Sequence, residues 1–207
     1  MIPDILASRY ASSEISEIWS PEGKVHLERE FWIVVMKAQQ KLGVDIPESA
    51  IKSYEKVKNQ IDLENISKRE RKLRHDVKSR IEEFCDLAGH QHIHKGLTSR
   101  DLTDNVEQLQ IFRSLKKIRL KAVAVLHQMA SWSLRTKNIS LVGRTHNVPA
   151  QPTTLGKRIS IFGEEILFAL GRFDHLIENY PMRGIQGALG TRLDQLELMN
   201  GDEKKVR

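Results

Sequence analysis

SRDLTDNVEQLQIFRSLKKIRLKAVAVLHQMASWSLRTK, residues 99–137, is the stretch whose periodicity decides the fold. Within it Ile111, Leu115, Ile118, Ala122, Val125, Met129 and Trp132 recur at spacings of four and three, a heptad stripe on one long helix. About 38 residues at ~1.5 Å each make a rod of roughly 55 Å. A rod of that length overshoots a compact domain of this mass. It predicts an elongated bundle whose stripe is completed by other helices, including helices of other subunits.

Working toward the N-terminus, the loop GHQHIHKGLTS (89–99) precedes the rod. Before it, Ser20-Pro21 reads as N-cap and first-turn proline of a helix ending near Leu42 and Gly43, with Val25, Phe31, Trp32, Val35 and Ala38 on one face. Pro47 starts a shorter helix to about Lys58. Asp62 caps a third, expected to run unbroken through KRERKLRHDVKSR (68–80) to Ala88 and to stop at Gly89. Toward the C-terminus, ISLVGRTHNVPAQP (139–152) has room for a short extended piece before Pro149. Pro152 then opens a helix to about Asn179, and Pro181 stops it. RGIQGALGT (183–191) is a loop or hairpin, and LDQLELMNGDEKKVR is amphipathic and helix-like up to Arg207. The fold class is therefore all-α, with an N-terminal helical domain at 1–97 and an incomplete long-helix bundle domain at 98–207.

Composition bounds the function. The 207 residues are 40% hydrophobic and 29% charged, with 6 Pro and 12 Gly, which is globular and excludes a disordered or fibrous chain. No run approaches the roughly 20 apolar residues of a membrane span, and MIPDILASRY lacks a basic leader, so a soluble cytoplasmic chain with no membrane partner is expected. The single Cys85 lies in the apolar run Ile81, Phe84, Cys85, Ala88 and reads as a core thiol. The net charge of +6 suits an anionic partner. The basic runs 68–80 and 113–121 are interleaved with apolar residues at helical spacing, so they read as solvated helix faces and not as a nucleic-acid surface.

Polar groups concentrate in three places. Arg74-His75-Asp76-Val77 is expected mid-helix, where His75 and Asp76 diverge by about 100 degrees and form no relay pair on one face. His75 is there either a surface histidine or a site residue. Thr98-Ser99-Arg100-Asp101 resembles a capping box, and two hydroxyls beside free backbone N–H groups also make an anion cradle. In GRTHNVPAQP, His146 sits in a Pro-bounded loop ahead of a helix, the best-placed acid or base among eight histidines, with a satisfied loop histidine as the alternative. His90, His92 and His94 share a side if extended, but no cysteine, carboxylate or second histidine pair completes a metal site, so no metal is expected. No P-loop or GxGxxG in a dinucleotide context occurs, and no cofactor is expected.

Together SRYAS (8–12), LRHDV (73–77), IHKGLTSRDLTDN (93–105) and GRTHNVPAQPTTLGKR (143–158) resemble the adenylosuccinate lyase branch of the fumarase/aspartase superfamily, in the right order along essentially the whole chain. The resemblance implies a homotetramer built on a long-helix bundle, with each active site assembled from three subunits. It implies β-elimination of fumarate from adenylosuccinate to give AMP, and from succinylated aminoimidazole carboxamide ribotide, with no cofactor. Carried over, Arg9 and Tyr10 hold the nucleotide phosphate, and Arg74, His75 and Asp76 contact substrate, His75 also orienting the acid. Thr98 and Ser99 bind the succinyl carboxylates, and His146 is the general acid that protonates the departing nitrogen. The family's base, a serine on a GSSxMPxKxNP-type loop, has no counterpart in these 207 residues. A truncated chain, inactive alone, is therefore expected, with a non-catalytic assembly or nucleotide-binding module as the alternative.

Overall fold

A computed structural model describes residues 4–206. Ten helices and one hairpin follow in order: α1 Ile5–Tyr10, α2 Ser13–Trp19, α3 Pro21–Lys41, α4 Glu48–Val57, α5 Leu63–Leu73, α6 Asp76–Ala88, α7 Ser99–Arg135, β1 Ser140–Thr145, β2 Val148–Thr154, α8 Leu155–Glu178, α9 Leu193–Leu198 and α10 Glu203–Val206. The regular structure of the described residues is helical apart from that hairpin. The caps fall where side-chain chemistry puts them: Ser20 Oγ accepts from Gly23 N–H, Asp62 from Asn65 N–H, and Gly89 at φ +70 closes α6.

Three helix expectations are corrected. The helix expected to run unbroken from Asp62 to Ala88 breaks at Arg74, which is left-handed at φ +56, and His75 becomes the N-cap of α6. The imidazole accepts the Lys78 N–H at 3.1 Å, so a local side-chain cap competes with helix continuation. The fold-back lets Arg69 of α5 reach Asp86 of α6 at 2.7 Å. Second, the helix expected to open at Pro152 begins at Leu155, because Pro152 lies in β2 opposite Val142 and Thr154 supplies the cap. Third, the C-terminal helix is two short helices, separated by Asn200 and Gly201 at positive φ; its continuation at Arg207 lies outside the described residues.

By packing, the chain divides into two units, the first running to Ile111 and resuming at Met182, the second Phe112–Pro181. The expected boundary at 97/98 falls inside the first unit. Leu102 and Val106 of α7 belong to the core formed by Leu27, Trp32 and Met36 of α3, Ile51 and Tyr54 of α4, and Phe84 and Cys85 of α6. The buried face of α3 also differs from the expected one: Glu28 and Arg29 are inside while Ala38 is exposed. Arg29 is tolerated there because its two terminal nitrogens donate to Glu83 at 2.5 Å and to the carbonyls of Val57, Lys58 and Gln60.

The second unit is an antiparallel helical hairpin. The Phe112 and Tyr180 rings lie 5.7 Å apart, Arg119 pairs with Asp174, and Gly156 abuts Ser133 and Lys137, which sets the end of α7 against the start of α8. Between them β1 and β2 pair antiparallel. Along the stripe, Ile118, Val125 and Trp132 remain about half exposed, and Phe162, Leu167 and Phe168 on α8 are more exposed still.

Candidate functional site

The break between α5 and α6 makes the cleft. Its volume is about 680 Å³, and Ser67, Glu70 and Arg71 of α5 line it together with Arg74, His75 and Asp76. Ser67, Glu70, Arg71 and Arg74 stand at i, i+3, i+4 and i+7, so one face of α5 forms a wall. Neither the Arg71 nor the Arg74 guanidinium has a partner among the described residues, which leaves two fixed positive charges open to an anion.

His75 has its Nδ1 committed to the Lys78 N–H and its carbonyl to the Ser79 hydroxyl at 2.7 Å. An accepting Nδ1 puts the proton of the neutral ring on Nε2, so the ring offers a donor and not a base. Asp76 lies 3.8 Å from that Nδ1, too far for the hydrogen bond of a relay pair. Asp76 is held at 3.0 Å by Arg80, which is itself held at 2.6 Å by the fully buried Glu28. Burial raises the Asp76 carboxyl's affinity for a proton, but the Arg80 hydrogen bond, the Val77 N–H and the Arg80 charge outweigh it and hold the pKa below the usual range. Burial likewise pushes Glu28 upward against the pull of Arg80.

Thr98 and Ser99 sit at the mouth of α7. The expected capping box is only half made: Asp101 accepts the Thr98 N–H at 3.0 Å, while neither the Thr98 nor the Ser99 hydroxyl is engaged among the described residues. Two free hydroxyls beside a helix start keep the carboxylate-binding reading open. The Thr98 amide, in contrast, is taken by Asp101, the fully buried capping-box residue, whose other partners sequence reasoning did not foresee. Its carboxylate also accepts from Gln186 N–H, Gly187 N–H and Arg183, and despite burial these donors hold its pKa below the usual value.

His146 belongs to the second unit. It is not in a loop leading directly into a helix, as expected, but at the tip of the β1–β2 hairpin. His146 and Asn147 occupy the two turn positions at φ +48 and +61, the signature of a type I′ turn. The ring is exposed and makes no hydrogen bond or ion pair among the described residues. Arg9 and Tyr10 end α1 on the surface, with Tyr10 76% exposed, and are not part of the cleft lining. The site residues thus fall in three settings of the first unit and one of the second.

The histidines of the 90–94 run have separate duties. His94 Nδ1 accepts the Trp32 indole N–H at 3.0 Å, and His92 faces Lys95 at 3.1 Å. Arg71, Arg80, Glu28 and Arg183 are the polar residues missed at the sequence level, where Asp101 reads only as a cap. Arg71 is legible from the i, i+3, i+4, i+7 spacing of α5, and Thr98 marks Asp101 as a cap, but its partners Arg183, Gln186 and Gly187 lie more than 80 residues away and leave no local trace.

Comparison with known proteins follows the same outline. The chain is 34% identical over 207 residues to adenylosuccinate lyase of Schizosaccharomyces pombe, covering 97% of this chain and 43% of that one. It is 32% identical to that of Schistosoma mansoni, and 27% identical over 192 residues to that of Archaeoglobus fulgidus. The chain therefore spans about 43% of the length of the relatives it matches. In fold it is similar to 3-carboxy-cis,cis-muconate lactonizing enzyme from Pseudomonas putida, with a TM-score of 0.83 at 18% identity over 99% of this chain and 48% of that one. The fumarate lyase from Mesorhizobium sp. BNC1 gives a TM-score of 0.79 at 20% identity over 95% and 48%. The family model described as Lyase matches residues 8–196, and the chain accordingly belongs to the lyase family.

Proposed function

We propose that this chain forms part of an adenylosuccinate lyase, a carbon–nitrogen lyase of purine biosynthesis. It takes adenylosuccinate to AMP and fumarate, and the succinylated aminoimidazole carboxamide ribotide to its own amide and fumarate. The observation that carries this reading is the anion-adapted first unit: a cleft with two unpaired guanidiniums and a histidine donor, and a helix start with two unengaged hydroxyls. A substrate with a phosphate and two carboxylates needs such groups. Removing a proton beside a carboxylate builds negative charge on its oxygens, and preorganised donors there lower the barrier. Arg9 and Tyr10 hold the phosphate in this reading, Arg74, His75 and Asp76 contact the substrate, and Thr98 and Ser99 take the succinyl carboxylates.

In the elimination a base takes the carbon-bound proton, the C–N bond breaks, and its electron pair passes to nitrogen as His146 delivers a proton there. An exposed, unpartnered imidazole on a rigid two-residue turn is free for that work. The base comes from a serine loop outside these 207 residues, supplied in a homotetramer in the cytoplasm. The exposed Ile118, Val125, Trp132, Leu167 and Phe168 support such an assembly, since large apolar side chains left open along long helices suit burial against other subunits.

Fumarate release, followed by ultraviolet absorbance, tests the proposal. The purified chain alone yields none. Co-folded with the Schizosaccharomyces pombe relative carrying a mutated acid histidine, it restores turnover, and His146→Ala in this chain removes the restored activity. Enzymatic turnover by the chain alone, or full restoration by the His146→Ala chain, refutes the assignment of base and acid.

A further inference from the structure

We propose that Asp101 is a positioning residue that locks the glycine-rich segment 183–187 onto the start of α7, so that Thr98 and Ser99 meet a carboxylate ligand as part of one preset surface. This rests on the reading of Thr98 and Ser99 as the carboxylate site. Asp101 has no exposed surface, and its two oxygens gather donors from both segments. Oδ1 accepts from Gln186 N–H at 2.9 Å, from Gly187 N–H at 3.1 Å and from the Arg183 guanidinium, and Oδ2 accepts from Thr98 N–H at 3.0 Å. Groups that are 85 and 86 residues apart in sequence from Asp101 thereby converge on a single carboxylate.

The lock extends along one face of α7. Asn105 exchanges two hydrogen bonds with Gly184, its amide donating to the carbonyl at 2.8 Å and its oxygen accepting the N–H at 2.9 Å. Gln108 accepts the Arg183 N–H at 2.7 Å. Asp101, Asp104, Asn105 and Gln108 are spaced i, i+3, i+4 and i+7, the neighbours of one helical stripe. Gly187 is at φ +72, and a methyl added to it would stand no closer than 3.7 Å to any neighbouring atom. The backbone conformation that aims its N–H at Asp101, and not crowding, is therefore what requires glycine.

The chemistry divides the labour at this helix start. An internal carboxylate takes the Thr98 N–H, one of the donors an external anion could use, and the two hydroxyls, which have no other engagement among the described residues, are left to the ligand. A buried carboxylate surrounded by donors alone cannot be replaced by an amide without cost: in Asp101→Asn one oxygen becomes an NH₂ facing N–H groups, and at least one donor loses its acceptor.

Amide hydrogen exchange and fumarate titration on the 207-residue chain test the lock. In Asp101→Asn, exchange rises about tenfold in 96–99 and in 183–191 together while α3 and α4 hold their protection, and fumarate binds about tenfold more weakly. Thr98→Ala weakens fumarate without loosening 183–191, which separates ligand contact from positioning. Should Asp101→Asn fail to fold, Asn105→Ala loosens Gly184 and weakens fumarate about twofold to threefold by removing only the outer pair. Loosening of one segment alone, or both loosened with fumarate affinity unchanged, overturns the proposal. If the unsubstituted chain does not respond to fumarate, the reading of Thr98 and Ser99 falls, while joint loosening still upholds the lock and its absence overturns it.

Discussion

Lowering the pH from 7 to 5 should destabilise this protein through His94. Its ring is packed edge-on to Trp32 at 6.0 Å, and its Nδ1 accepts the Trp32 indole N–H at 3.0 Å. Burial pushes the imidazole pKa down to about 4, with the Asp101 charge opposing and His75 adding to the shift. Because the folded value lies below the ordinary 6.5, the unfolded chain binds the proton more readily, and stability falls as pH drops below the unfolded value and levels off below the folded one. Linkage between those two values removes about 2 kcal/mol from pH 7 to pH 5, and partial solvent screening brings this to about 1 kcal/mol. For a chain of this size that is about 3 °C in Tm.

The control is His94→Asn. Asn is neutral throughout, its side-chain oxygen can replace Nδ1 as acceptor, and it tolerates the left-handed φ of +62 at this position. Urea melts followed by tryptophan fluorescence at pH 7, 6 and 5 give the measurement. Titrations common to both proteins cancel in their difference, so the variant should lack about 1 kcal/mol of the wild-type pH dependence. Equal pH slopes for the two proteins would refute the assignment to His94.

Three further outcomes follow from packing. Arg29→Met strands Glu83, which is 1% exposed, and removes the donor to three carbonyls, so urea unfolding should show a loss of about 3–5 kcal/mol, with Arg29→Met/Glu83→Leu losing less than the single variant. Gly156→Ala drives a methyl into the Ser133 carbonyl oxygen and to 2.8 Å from the Lys137 backbone, which should cost about 1–3 kcal/mol in thermal melts. Gly163→Ala, whose nearest neighbour is Met129 Cβ at 3.9 Å, should be neutral or gain up to about 1 kcal/mol.

Much of the candidate site is legible because its chemistry is written in short strings. Thr98-Ser99 at a helix start, His146 between β-forming residues and Arg74-His75-Asp76 each sit within a few residues of the feature that exposes them. The setting of two of them is not legible. A helix through RHDV satisfies propensity and periodicity, and only the His75 cap with the left-handed Arg74 reveals the break that opens the cleft. His146-Asn147 lacks the glycine that usually marks a type I′ turn, so nothing local distinguishes the hairpin tip from an irregular loop.

The helical class, the caps at Ser20, Asp62 and Gly89, and the long rod of α7 follow from the order of residues alone, because capping and heptad spacing act over one to a few turns. Which charges go inside is settled only by the folded chain. Arg29 meets Glu83 across 54 residues and Asp101 gathers donors across more than 80, so the partners that make those burials tolerable exist only once the chain has folded back on itself.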